Sequence, residues 1–408
     1  MAIQTTTNPA ANGAITTRYT AKYQRAAELA RLYDQLALPV SAPQFELETR
    51  RGLGSTYTFN FLSDMAPGST AISEVADITP QVIRDATSTI TPTSLGEAMK
   101  WSQLLDLEVY TDLVAARMEI LGRNMMESVD AKARAAALQG NLVRRAANAA
   151  TRATLDAGTS THLWTEAEIW AAMSTAESLK LPPFMDFKGR KMYMAIAHSD
   201  AFYDLFHGGN VVSAAIYGGI PGSTLFNGEL GEIANCKLII SPWAKVFGAA
   251  GAANASAGSY TTSAAAKALD TTVSITTATN IGAGRFFTLG TVETANTHYD
   301  DNERVKHVSG TTTSTIVGQG ANGGLRFDHL SGVQAINADS VYPVAYGAPG
   351  SLVKVYAEEV GEYGEVVGPK KDGLADQWTS IAWKWFGGYG RMAENRIFRG
   401  EYASSLDA

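Results

Sequence analysis

Gly318, Gly320 and Gly323 stand at the spacing G-x-G-x-x-G, which in a dinucleotide site lets backbone approach a pyrophosphate. That chemistry needs a helix to begin there, so that its N-terminal amides meet the phosphate. The chain continues instead as LRFDHLSG, which reads as strand and turn, so a glycine-rich hairpin loop is the reading adopted. His198, Asp200 and Asp204 could ligate a metal, but Asp200 is more simply a first-turn helix acid and His198 a strand-end residue. Asp300, Asp301 and Glu303 could gather calcium in a turn; solvated loop acids are the default. The six histidines, His162, His198, His207, His298, His307 and His329, include no H-E-x-x-H and no pair at helical ligand spacing. No phosphate-loop signature and no G-x-S-x-G elbow occurs. Cys236 is the only cysteine, so there is no internal disulfide framework and no cysteine-based zinc site. It precedes a strand and reads as a small packed side chain. No catalytic, cofactor or metal residue is therefore assigned.

Two groups remain. Arg144, Arg145 and Arg152 have only Asp156 nearby to oppose them, so they would touch a polyanion or acids on a neighbouring subunit. Trp378, Trp383, Trp385, Phe386 and Tyr389 alternate as a strand does, which suits a core or a subunit interface, with a carbohydrate platform as the lesser use. Net charge narrows the partners. At −7 the 408-residue chain lacks the basic balance of a protein built to grip nucleic acid. No apolar run reaches membrane-spanning length, and the N-terminus has neither the basic start nor the apolar core of a secretory signal. A soluble intracellular product, with no membrane partner, is expected.

The elements that would position these residues centre on a long helix, from about Asp106 to Gly140. Leu107, Tyr110, Val114, Met118, Leu121, Met125 and Val129 recur at spacings of three and four. Asp112, Arg117, Glu119, Arg123, Glu127, Asp130, Lys132 and Arg134 fall on the other side, toward water or a polar neighbour. Met125-Met126 reads as core packing. Before the rod, residues 1–17 are small and polar, and Arg18–Leu38 forms a short amphipathic helix ending before Pro39. Thr56–Leu62 and about Ala86–Trp101 read as extended runs that pair as a hairpin with a long tip. A lone two-stranded ribbon is marginal in water, which argues for a partner subunit beneath it.

After the rod, Thr165 and Glu168 have capping-box spacing before a helix to about Lys180. Lys191–Ala197 reads as a buried strand, DAFYDLF as a short helix ending at Gly208-Gly209, and Leu238–Ile240 as a strand. Gly248–Leu269 is Ala, Gly, Ser and Thr, a low-complexity linker. From about Thr271 to Tyr346 short strands alternate with turns: TVSITTA, RFFTLGTVE, ERVKHVSG, STIVG and LRFDHL. The chain returns through SLVKVYAEEV and WTSIAWKWFGGYG. An antiparallel β domain inserted into an α+β body is expected. An arm, an unsupported ribbon, a rod and an insertion suit a protein whose work is contact with copies of itself.

That order of elements resembles the tailed-phage major capsid proteins of the Hong Kong 97 (HK97) fold. The stretches YMAIAHSDAFYDL (193–205), GEIANCKLIISPWAK (231–245) and WKWFGGYGRMAENRIFRGEYASSLDA (383–408) are similar to the capsid proteins of coliphage N-four and its relatives. The resemblance implies an N-terminal arm over 1–50, an extended loop over 51–103 and a peripheral domain with its spine helix over 104–157. It implies an axial domain over 158–247, a linker and inserted β domain over 248–346, and return strands over 347–408. The implied role is structural: hexamers and pentamers closing an icosahedral shell around a double-stranded DNA genome, which the inner face touches non-specifically. Scaffolding, portal and decoration proteins would be separate partners. The product would belong to the virion, assembled in the host bacterial cytoplasm. An encapsulin-like nanocompartment shell, and a β insert that binds host-surface carbohydrate, are the alternative readings.

Overall fold

The computed structural model describes residues 45–49, 57–62, 85–108, 113–181, 183–185, 191–207, 229–252, 259–276, 281–291, 293, 302–347, 352–357, 364–373, 377–391 and 394–407. The expected arm before residue 45, its helix over Arg18–Leu38, the tip of the hairpin and the Gly208-Gly209 stop lie outside them. In chain order come β1 (Phe45–Thr49), β2 (Tyr57–Leu62), β3 (Asp85–Ile90), β4 (Thr93–Ser102), α1 (Gln103–Glu108) and α2 (Leu113–Leu138). Then follow β5 (Val143–Arg145), α3 (Glu166–Ser178), β6 (Phe184–Met185), β7 (Lys191–Ala197), α4 (Ser199–His207), β8 (Glu229–Ile233) and β9 (Cys236–Ile240). The next six strands are β10 (Ser259–Thr261), β11 (Thr272–Ser274), β12 (Phe286–Leu289), β13 (Glu303–Ser309), β14 (Thr313–Val317) and β15 (Gln334–Ile336). The chain closes with β16 (Tyr342–Gly347), β17 (Leu352–Ala357), β18 (Glu365–Asp372), β19 (Trp378–Arg391) and β20 (Ile397–Tyr402).

The expected rod is described as α1 and α2, with 109–112 outside the described residues. At about 1.5 Å per residue, α2 is roughly 39 Å long. Its first half buries Met118, Leu121, Met125, Met126 and Val129 against Trp101, Ile381, Trp383 and Trp385 of a five-stranded sheet. In that sheet β19 pairs with β4 on one side and with β17 and β18 on the other, and β1 runs parallel to β17. Trp383 Nε1 donates to Asn124 Oδ1 at 2.9 Å, so the buried indole N–H is satisfied. The second half of α2 changes to Ala133, Ala136 and Ala137, which bring the helix close to Ile196, Leu352 and Ile397. One helix thus joins two cores. Of the two surroundings expected for the polar side of the rod, water or a polar neighbour, Asp130 and Arg134 have the polar neighbour. Asp130 is 2 % exposed and pairs with Arg134 Nε at 3.0 Å, because Arg134 Nη1 is drawn inward by the Trp243 carbonyl. The helix ends as expected at Gly140, whose φ of +105° favours glycine. Arg391 donates to the Gln139 carbonyl and Arg399 to the Leu138 carbonyl, placing cations at the negative end of the helix dipole.

The second core lies on a seven-stranded sheet ordered β5-β20-β16-β7-β9-β8, with β6 added to β7. The buried strand expected at Lys191–Ala197 is central, and α3 and α4 supply Ile169, Met173, Phe202 and Leu205 to the core. Trp164 Nε1 donates to Tyr346 Oη at 2.9 Å, and the Tyr346 and Tyr402 hydroxyls lie 3.1 Å apart. β8 and β9 meet at Ala234–Asn235, both with positive φ, a turn whose twist suits a hairpin. Thr165 is the N-cap of α3, but its side chain makes no capping bond. Glu168 turns away to take Arg144 Nη2 at 3.1 Å and the Ala147 amide at 3.2 Å, so the expected capping box does not form.

Between β9 and β16 the chain builds a separate six-stranded antiparallel sheet, ordered β10-β15-β12-β13-β14-β11. Its end strands also meet. Thr262 bridges Ile275, Ser263 N–H donates to the Ser274 carbonyl, and Thr276 N–H donates to the Thr261 carbonyl. The sheet is a closed barrel around Tyr260, Val273, Ile275, Phe287, Leu289, Val305 and Ile316. Two details differ from the sequence reading. Part of the stretch read as linker is strand β10, because the single large residue there, Tyr260, enters the core at 8 % exposure. LRFDHL is a strap, not a ladder strand, held by the Ala266–His329 bridge and by Glu303.

Candidate assembly surfaces

The residues that could have done chemistry are dispersed into structural roles. The Gly318–Gly323 loop folds back on itself, with Gly318 N–H donating to the Gly323 carbonyl and Gly320 N–H to Gly324, both at 2.8 Å. A 3-10 turn (Ala321–Gly323) ends the motif, where a dinucleotide site would need an α-helix to begin. Asp200 and Asp204 face different partners: Asp200 takes Arg304 Nη1 at 3.0 Å, and Asp204 takes the Ser405 amide at 3.1 Å. Burial lowers the pKa of His198, with Asp200 opposing. Asp300 and Asp301 lie outside the described residues. Glu303 is no solvated acid: it is 2 % exposed and receives the Arg326 amide at 2.7 Å, the Phe327 amide at 3.2 Å and His329 Nε2 at 3.3 Å. Cys236 is buried, and desolvation raises its thiol pKa far from the reactive range. Among the described residues no group of three or more metal-ligating side chains occurs.

The three arginines pair within the chain, with acids remote in sequence. Arg144 pairs with Glu168 at 3.1 Å. Arg145 Nε lies 2.9 Å from Glu401 Oε2, and Arg152 Nη2 lies 2.6 Å from Glu401 Oε1. Arg399, 1 % exposed, adds a third guanidinium 2.9 Å from the same carboxylate. Burial pushes Glu401 up, but the bonds and charge of Arg152, with Arg399 and Arg145, outweigh it and hold the carboxyl below its ordinary pKa. Burial brings Arg399 down to about 10, against the pull of Glu401.

The aromatic cluster divides by strand parity. Trp383 and Trp385 point at α2, whereas Trp378 and Phe386, on the opposite face, are 43 % and 38 % exposed. Trp170 is 58 % exposed on the outer side of α3, at helical spacing from Ala167 and Ser174. That polar-face position is the signal by which the sequence could have flagged it. Both places are candidate assembly surfaces, since an aromatic side chain left in water gains by burial against another molecule. The ribbon of β2 and β3 is the third such feature. Its strands pair with each other from Tyr57–Ile90 to Leu62–Asp85 and form a sheet of two. The expected continuous run Ala86–Trp101 divides at Thr91-Pro92, where β4 leaves the ribbon to pair with β19.

Several charged side chains tie the barrel to the body. Arg304 binds Asp200 and Asp407, and its guanidinium lies 3.9 Å from the Phe286 ring centroid. Lys245 Nζ holds Glu293 at 2.8 Å, and Arg152 Nη1 donates to the Glu293 carbonyl at 3.0 Å. Arg326 binds Glu127 on α2 and lies 5.3 Å over the Trp243 ring.

No protein-family model matches the sequence, and no curated protein matches it. Solved structures do match in shape. The capsid chain of Ralstonia phage GP4 aligns with TM-score 0.51 at 10% identity, over 86% of this chain and 84% of that one. The cyanophage Pam1 capsid chain aligns with TM-score 0.51 at 14% identity, over 86% of each. The arrangement of spine helix, two main sheets and returning strands is therefore the HK97-like fold of phage capsid subunits.

Proposed function

We propose that this chain is the principal structural subunit of an icosahedral bacteriophage shell, built from its hexamers and pentamers around double-stranded DNA. The observation that carries the reading is the two-way coverage: 86% of this chain lies on 84% and 86% of two capsid chains, so a whole subunit is matched and not a shared motif. The surfaces fit that role. A two-stranded ribbon gains order by lying on a sister subunit, and many such modest contacts add through effective concentration. The arginines that might have gripped a genome are matched within the chain, and a net charge of −7 repels phosphate at long range. Contact of the inner wall with DNA would thus be non-specific and weak. Residues 1–50 would serve as arm, 51–103 as extended loop, 104–157 as peripheral domain, 158–247 with 347–408 as axial and returning strands, and 248–346 as insert. Scaffolding, portal and decoration proteins would complete a virion assembled in the bacterial cytoplasm, and the subunit would resemble those of N-four-like phages. Electron microscopy of the purified recombinant chain tests this. Large closed particles or six-fold sheets are expected; a persistent small oligomer under all assembly conditions overturns it.

A further inference from the structure

The barrel touches α2 at one special place. Val129 is the last residue of the helix packed on the five-stranded sheet, and Ala133 is the first packed on the seven-stranded sheet. From that turn on the helix also meets Ile196 and Ile397 of the seven-stranded sheet, while Leu352 of β17 and Tyr389 of β19 still reach it, so both sheets press on this part of the helix. Glu127, Asp130 and Arg134 line the same turn, and each has a partner. Glu127 receives Arg326 from the barrel strap. Arg326 lies over the Trp243 ring, the Trp243 carbonyl accepts Arg134, and Arg134 pairs with Asp130. Barrel, helix and the loop after β9 are thereby tied in one closed circuit around the junction. From the same part of the barrel Arg304, next to the Glu303 that holds the Arg326 amide, ties to Asp200 of α4. A body anchored on both sides of a joint fixes the angle of that joint.

We propose that the barrel is a brace: it holds the angle between the spine helix and the seven-stranded sheet, and so sets the curvature that each subunit brings to an assembly. This rests on the shell reading above. The ties combine ion pairs, ring contacts and hydrogen bonds, and the barrel keeps a core of its own.

The test compares the full-length wild type with Arg326→Met and with the exchanged pair Glu127→Lys/Arg326→Glu. Two readouts are taken: particle diameters by electron microscopy, and amide exchange across residues 123–134. The wild type should give one narrow diameter. Arg326→Met should give mixed diameters or open sheets, with exchange in that turn faster by roughly tenfold, and the exchanged pair should return both toward wild type. Wild-type diameters and exchange in Arg326→Met overturn the brace. If Arg326→Met aggregates, the exchanged pair decides: soluble with wild-type exchange supports the brace, and aggregated overturns it. If the wild type itself forms no particles, the shell reading fails, while the exchange comparison still tests the brace.

Discussion

Ile90 occupies the space that a side chain on Gly390 would need. A Cβ built on Gly390 would lie 2.5 Å from Ile90 Cγ1 and 2.6 Å from Cδ1, and one on Gly388 would lie 3.2 Å from Cγ2. The foot of the ribbon is keyed into the glycines of β19 by this one side chain, which is 4 % exposed. Gly390→Ala should therefore destabilise the subunit by about 1–3 kcal/mol through overpacking. A lower urea midpoint and faster exchange at Ile90 would show it. Gly368→Ala, where nothing lies within 4 Å, should stay within about 0.5 kcal/mol of wild type.

Glu401 balances three guanidinium groups in a buried site, so its loss leaves charge with no counterpart. Glu401→Gln should cost about 3–5 kcal/mol, measured by denaturant unfolding. Arg145→Met should cost clearly less, since the Arg145 side chain is 23% exposed and two other cations still serve the carboxylate. Equal losses in the two variants would contradict the assignment of Glu401 as the hub.

Stability should fall in two steps on acidification. His307, 3 % exposed with Nδ1 2.6 Å from Ser314 Oγ, has its pKa lowered by burial. Its folded form resists the proton, so its contribution is whole above the ordinary value of 6.5 and is lost as pH falls from there through the folded pKa. Glu401, also depressed, contributes fully above 4.5 and loses that contribution as pH falls below it. Thermal midpoints recorded from pH 8 downward, at roughly half-unit steps, should show the first decline shrink in His307→Gln. An unchanged slope would remove His307 from the account.

The ribbon gives a prediction that needs no mutation. Amides of β2 and β3 should exchange fast in the unassembled subunit and at least roughly tenfold slower in assembled particles, because two strands alone bury too little to hold their ladder. Equal protection in both states would mean that assembly leaves the ribbon uncovered.

How much could be read beforehand depended on whether the signal was local. The spine was legible because Met118, Leu121, Met125 and Val129 repeat with the helical period, and all four are buried. Trp383 and Trp385 were legible as a strand by alternation, but which of the neighbouring aromatics stays in water depends on where α2 lies. Glu401 was invisible as the partner of Arg145 because 256 residues separate them and no spacing rule links them. Which polar neighbour Asp130 and Arg134 would meet was likewise invisible, because the Trp243 carbonyl comes from a distant loop. Barrel closure came from an Ala- and Thr-rich segment in which a single tyrosine carried the apolar signal.

Joining β10 to β11 through Thr262 and Ile275 pairs the two end strands, so that among the described residues the barrel sheet has no open edge. A module repeated at high local density on one particle would otherwise offer every copy a template for zipping onto the next. In a shell built as proposed, barrels sealed in this way would brush past one another without knitting together.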